Sequence, residues 1–106
     1  MTTTVELTRF RVSPERAAEL LAARPAMIDD FRAGRSGFLG ARLVRVSDGE
    51  WLDIVEWRTP EDFAASRAKG ADLPGIRAFF ALIDELVSQE EGRSQEEGRE
   101  ETLRSR

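Results

Sequence analysis

The chain contains no cysteine, histidine, tyrosine or asparagine. Without His and Cys there is no thiol nucleophile, no Ser-His-Asp triad, no haem held by either residue and no ordinary zinc site. It also lacks any run of about 18 apolar residues, the length that crosses a bilayer. The opening Met1-Thr2-Thr3-Thr4 has neither the charged nor the apolar region of a signal peptide. These absences predict a cytoplasmic protein with no membrane partner and no metal. What remains for chemistry is carboxylates, Arg, Lys, Ser, Thr, Trp, backbone groups and the ligand itself.

What is present suits one small domain. A chain of 106 residues buries roughly 60 to 65% of its unfolded surface, so a partner subunit would add useful stability. The net charge is −4. Arg9, Arg11, Arg42 and Arg45 are interleaved with acids and apolar residues rather than clustered, which argues against nucleic acid as a partner.

Val5 to Val12 alternates as a strand. Ser13-Pro14 then opens a helix, with serine as N-cap and proline at the first helical position. Ala17, Leu20, Leu21, Met27, Ile28 and Phe31 keep helical spacing with Arg24 in their row, and Pro25 predicts a kink near Arg24. Ser36 to Trp57 reads as a long hairpin turning at Ser47-Asp48-Gly49. Thr59-Pro60-Glu61-Asp62 starts a short helix to about Lys69, Gly70 to Pro74 breaks it, and Ile76, Phe79, Phe80, Ile83 and Leu86 predict another helix. The order strand, helix, strand, strand, helix, helix resembles an α+β, ferredoxin-like plan with an antiparallel sheet.

That plan wants a fourth strand, yet the end of the chain is polar. Ser88-Gln89-Glu90-Glu91-Gly92-Arg93 is repeated unchanged as Ser94 to Arg99. A folded domain over 1–87 followed by a solvated or helical tail over 88–106 is preferred to an edge strand over Leu86 to Arg93, because so little apolar content cannot offset the entropy of ordering.

Both hairpin strands carry apolar residues on both faces, so the sheet must be covered twice. Alternation puts Phe38, Gly40, Arg42, Val44 and Val46 under the helices together with Trp51, Asp53, Val55, Trp57, Thr8 and Phe10. Leu39, Ala41, Leu43, Arg45, Leu52, Ile54, Glu56, Val5, Leu7, Arg9 and Arg11 fall on the other face. An aliphatic face of that size exceeds what monomers usually expose, so a homodimer through the sheet face is predicted, with Glu56 free to pair with Arg9 or with an arginine of the partner.

Arg9-Phe10-Arg11-Val12, Gly37-Phe38-Leu39-Gly40, the strand Gly49 to Trp57, Pro60-Glu61-Asp62-Phe63 and Phe79-Phe80-Ala81-Leu82-Ile83 together resemble the antibiotic biosynthesis monooxygenase family over residues 4 to 87. The resemblance implies a dimeric α+β barrel with a pocket between sheet and helices. It also implies one of several activities: oxygenation of aromatic polyketides without metal or flavin, haem breakdown, or none known. Trp57 matches a pocket tryptophan of haem-degrading relatives. Thr8 stands where they carry a ligand-contacting asparagine, and their pocket histidine cannot exist here, which argues against haem.

Cofactor-free oxygenation requires a base, a group that stabilises the substrate anion and a dry pocket. On the predicted helix side Asp53 is the candidate base and Arg42 the candidate cation. Trp51, Trp57, Thr8 and Phe38 are the candidate substrate-binding residues. An ordinary cross-strand ion pair is the preferred reading of Asp53 and Arg42. Ser66, Arg67 and Lys69 lie where a helix could border the pocket mouth, but a solvated helix face explains them equally well. The expected function is a monooxygenase with no cofactor, acting on an aromatic or polyketide-like small molecule. The alternatives are a non-catalytic ligand-binding dimer and an isomerase or cyclase of the same barrel class.

Overall fold

The computed structural model describes residues 2–96. Strands β1 (Thr4–Arg11), β2 (Phe38–Ser47), β3 (Glu50–Trp57) and β4 (Glu85–Arg93) form one antiparallel sheet in the order β2-β3-β1-β4. Helices α1 (Ala17–Gly34), α2 (Pro60–Lys69) and α3 (Pro74–Phe80) complete a ferredoxin-like α+β fold. Their apolar side chains Leu20, Met27, Phe31, Phe63, Ile76 and Phe79 meet Phe10, Trp51, Val55 and Trp57 of the sheet in a single core.

The helix starts follow local chemistry. Thr59 Oγ1 accepts the amide of Asp62 at 3.0 Å, with Pro60 in the first turn, so α2 begins and ends where its sequence predicts. Ser13 does not cap with its side chain. Its amide instead donates to Asp84 Oδ2 at 2.7 Å, and a short 3₁₀ turn, Pro14–Arg16, precedes α1. α1 runs unbroken through Pro25. Leu21, predicted for the buried stripe, is 52% exposed, since its place on α1 turns it away from the sheet while Leu20 goes in.

Three expectations are corrected. The last helix ends at Phe80 rather than Leu86, and the chain enters β4 at Glu85 after the Asp84 amide bonds the Arg11 carbonyl at 2.9 Å. A domain boundary after residue 87 therefore cuts through a strand. β4 is exposed along its whole length, so its order comes from backbone pairing with β1 and not from apolar burial. Residues 97–106, with the second half of the second hexapeptide, lie outside the described residues.

The third correction concerns β2. Phe38 pairs with Trp57, but Gly40 pairs with Glu56, so an extra residue sits at Leu39. A bulge of this kind sends the side chains that follow it to the other face, here as far as Arg45, where a second register shift precedes Ser47. Ala41, Leu43 and Arg45 thus lie opposite Val55, Asp53 and Trp51 on the helix side, and Arg42 and Val44 lie opposite Ile54 and Leu52 on the open side. The open face still carries Val5, Leu7, Val44, Leu52 and Ile54, all half-buried. Glu56 does not pair with Arg9: it accepts from Thr3 Oγ1 at 2.8 Å, while Arg9 Nη1 reaches Glu50 at 2.7 Å.

Gly37 links α1 to β2 with φ 79°, a backbone shape that disfavours side chains, and a Cβ there would collide with the Asp62 carboxylate. Its carbonyl accepts the Arg58 amide at 2.8 Å. This close approach holds the start of α2 against the end of the sheet.

Candidate active site

Glu6 shares the helix-side parity of Thr4, Thr8 and Phe10, and it lies opposite Val55 on β3. Its carboxylate is the polar floor of a cleft of about 120 Å³. Phe31 from α1, Phe63 and Ser66 from α2, and Phe80 at the end of α3 form the walls; Arg35, Arg67 and Gly70 complete it. Beneath the walls the buried indole of Trp57 stacks on Phe63 (centroids 6.1 Å apart, planes at 20°) and meets Phe31 edge-on at 6.0 Å. Phe38 stacks on Phe31 at 5.6 Å, so it backs the same aromatic group.

Trp57 Nε1 donates to Glu6 Oε1 at 3.1 Å. Among the described residues Glu6 Oε2 makes no hydrogen bond to protein. Burial pushes the Glu6 carboxyl above the ordinary carboxylate value. The Trp57 hydrogen bond opposes that shift, the nearby Asp53 charge adds to it, and the Arg67 charge opposes it. A carboxylate raised in this way is a better proton acceptor once ionised.

Two arginines flank the cleft with different constraints. Arg35 is buried: its Nε donates to Ser66 Oγ at 2.9 Å, and its Nη2 donates to the Gly70 carbonyl at 2.8 Å and pairs with Asp72 at 2.9 Å. That pairing holds the Asp72 carboxyl below its ordinary value. Arg35 Nη1 is buried without a partner among the described residues, a costly arrangement that a ligand acceptor or a water would relieve. Arg67 is largely exposed, lies over the Phe63 ring at 4.4 Å and reaches Glu91 of β4 at 3.8 Å.

The residues favoured from sequence divide between this cleft and a separate cluster. Trp57 and Phe38 belong to the cleft's supporting layer. Asp53, Thr8 and Trp51 lie further along the sheet, where Thr8 and Asp53 are cross-strand neighbours. Asp53 is held by Arg24 of α1, with Nη1 to Oδ2 at 2.7 Å and Nη2 to Oδ1 at 2.6 Å. Both carboxylate oxygens are engaged, and the two side chains are 10% and 13% exposed, so the geometry is that of a core ion pair. Arg24 also lies over the Phe79 ring at 5.3 Å. The predicted pairing of Asp53 with Arg42 is therefore corrected: the Leu39 bulge carries Arg42 to the open face. Arg45, predicted for that open face, lies over the Trp51 ring at 5.0 Å.

Glu6 is not among the residues predicted from sequence, although its signal is present. It is a carboxylate in the same alternation row as Phe10, on a strand whose helix side must be buried. Ser66 and Arg67 border the cleft, whereas Lys69 Nζ bonds the Gly34 carbonyl at 3.2 Å. Among the described residues no group of three or more acidic side chains could hold a metal ion, and no helix is long and apolar enough to cross a membrane.

The family model of antibiotic biosynthesis monooxygenases matches residues 3–81, and the chain belongs to that family. Among solved structures it is similar to SnoaB of Streptomyces nogalater, a cofactor-independent oxygenase, with 23% identity and a TM-score of 0.62 over 94% of this chain and 98% of that one. A proposed antibiotic biosynthesis monooxygenase from Bordetella bronchiseptica superposes with a TM-score of 0.71 at 19% identity, covering 91% of this chain and 98% of that one. A further proposed member from Chloroflexus aurantiacus gives a TM-score of 0.64 at 17% identity, over 92% and 97%. At these identities the likeness shows a shared fold. A search of curated proteins finds no match.

Proposed function

We propose that the protein is a cofactor-independent monooxygenase of an electron-rich hydroxyaromatic molecule, with Glu6 as its base. The observation that carries this reading is a half-buried carboxylate with a raised proton affinity, at the floor of a cleft walled by Phe31, Phe63 and Phe80. Family membership and the fold shared with a cofactor-independent oxygenase support it. The ionised Glu6 takes the hydroxyl proton of the substrate through Oε2 while Trp57 holds Oε1 in place. The electron-rich anion then reduces dioxygen itself. For a phenol with an unsubstituted para carbon, substrate plus dioxygen gives quinone plus water: one oxygen atom becomes the new carbonyl, and the other leaves as water with the hydroxyl and ring protons. The substrate supplies all four electrons.

Around the cleft the aromatic walls exclude water and stack on the ring, and Arg67 at the mouth offsets the negative charge that develops on the substrate. The working unit in this reading is a cytoplasmic homodimer that buries Val5, Leu7, Val44, Leu52 and Ile54 against a second copy. Such a cover would also dry the sheet from its far side.

An oxygen electrode run with phenolic substrates and ¹⁸O₂, in chelator-treated buffer, tests the reaction class. One dioxygen consumed per substrate, with one labelled atom in the product, supports the oxygenase. Conversion of substrate without oxygen uptake would replace it with an isomerase or cyclase using the same base. Saturable binding with neither outcome would leave a binding module.

A further inference from the structure

The size of the cleft and the free oxygen on its floor restrict what it can hold. A volume of about 120 Å³ is below the roughly 300 to 1,000 Å³ of pockets for drug-sized ligands, and it is close to the about 150 Å³ of an apolar cavity that takes one benzene. The Phe31 and Phe63 walls are backed by stacked Phe38 and Trp57, so they cannot retreat without disturbing the core. Phe80, at the C-terminal end of α3, meets the buried Phe79 at 6.4 Å but has no stacked ring behind it and is 42% exposed, which makes it the most open aromatic wall. The polar groups are few: Glu6 Oε2, without a protein donor among the described residues, can take a hydroxyl proton, and Arg35 Nη1, buried without a partner among them, can donate to an oxygen of the ligand.

From these constraints we infer that the ligand is a single-ring phenol, seated with its hydroxyl on Glu6 and its ring between Phe31, Phe63 and Phe80, and that fused multi-ring phenols are excluded. The inference rests on the proposed reaction only for the consequence of binding, since ring size and hydroxyl position follow from the cleft. Phe80 is the specificity-determining residue. Its removal opens the cleft toward solvent without touching the Glu6–Trp57 pair.

The test is a titration of the wild-type protein with phenol, anisole, 1-naphthol and 9-anthrol, followed by NMR through the Trp57 indole N–H signal, whose proton is shared with Glu6. Phenol should move that signal saturably. Anisole, equal in ring size but without the donor, should bind about tenfold more weakly, the cost of one unmade hydrogen bond to a charged group. Naphthol should bind more weakly still, and anthrol should not bind. Phe80→Ala should close the gap between naphthol and phenol, and Glu6→Leu should erase the preference for phenol over anisole. Anthrol or naphthol binding the wild type as tightly as phenol would overturn the inference, as would no response to phenol at millimolar concentration. Single-ring selectivity without any oxygen uptake would keep this inference and remove the oxygenase reading; oxygen uptake confined to multi-ring substrates would do the reverse.

Discussion

The indole N–H of Trp57 donates to Glu6 Oε1 at 3.1 Å, so the largest side chain of the core orients the one carboxylate at the floor of the cleft. This bond stabilises the ionised form against the burial that disfavours it. Trp57→Phe keeps most of the packing and removes the donor. We expect the Glu6 carboxyl to rise further, and the ascending limb of the kcat/KM profile to move to higher pH, because the base must be ionised to act. A profile that does not move would detach Trp57 from the chemistry.

Glu6 also links stability to pH. Its folded-state value is raised above the unfolded one, so its favourable contribution is complete below the unfolded value and is lost as pH rises through the folded value. Glu6→Gln keeps an acceptor for Trp57 and removes the charge. The variant should match the wild type in acid and exceed its stability above the folded value of Glu6. Glu50, Asp72 and Asp84, all held below their ordinary values by arginine partners, work in the opposite direction but are common to both proteins. Urea titrations of the pair across pH 4 to 8 check this, and parallel curves would contradict it.

Asp53 has a different part. Asp53→Ala leaves the Arg24 guanidinium unpaired in the core and should cost about 3 to 5 kcal/mol, the range found when one partner of a buried pair is removed. Activity should follow the folded fraction, with the kcat/KM profile moved to lower pH because the Asp53 charge no longer raises the Glu6 carboxyl. Loss of turnover in a protein of unchanged stability would return Asp53 to the catalytic list.

Gly37→Ala should lower stability by about 1 to 3 kcal/mol, because the backbone must leave its left-handed shape or push Asp62 away from the start of α2. Thermal unfolding checks this, and a Tm within error of the wild type would count against the described link between α1 and β2.

The open sheet face offers a separate check. Ile54→Asp should turn a dimer into a monomer in light scattering, whereas Arg42→Ala should leave oxygen uptake unchanged. A wild-type protein that is monomeric at micromolar concentration would end the dimer proposal.

Much of this arrangement is legible in the residues. Thr59-Pro60 marks the start of α2, and the strict alternation of Trp51, Asp53, Val55 and Trp57 marks the buried face of β3. The Leu39 bulge is not legible, because Phe38-Leu39-Gly40-Ala41 is apolar in either register and nothing local says where one residue is inserted. β4 escapes for a related reason: Ser88 to Arg93 carries no apolar pattern, and its strand exists because β1 has a free edge. Arg24 interrupts an apolar row in the sequence, and only the fold shows why: Asp53 of β3 pairs with it. Glu6 was readable by parity alone, but its importance depends on α2 and α3 closing a cleft over it.

The most direct measurement is the steady-state rate of oxygen uptake with a single-ring, electron-rich phenol, for the wild type and Glu6→Gln. If Glu6 is the base, the variant should be slower by about 10² to 10⁴-fold while remaining folded and able to bind the phenol. An equal rate in the two proteins would contradict the assignment of Glu6 and, with it, the proposed site.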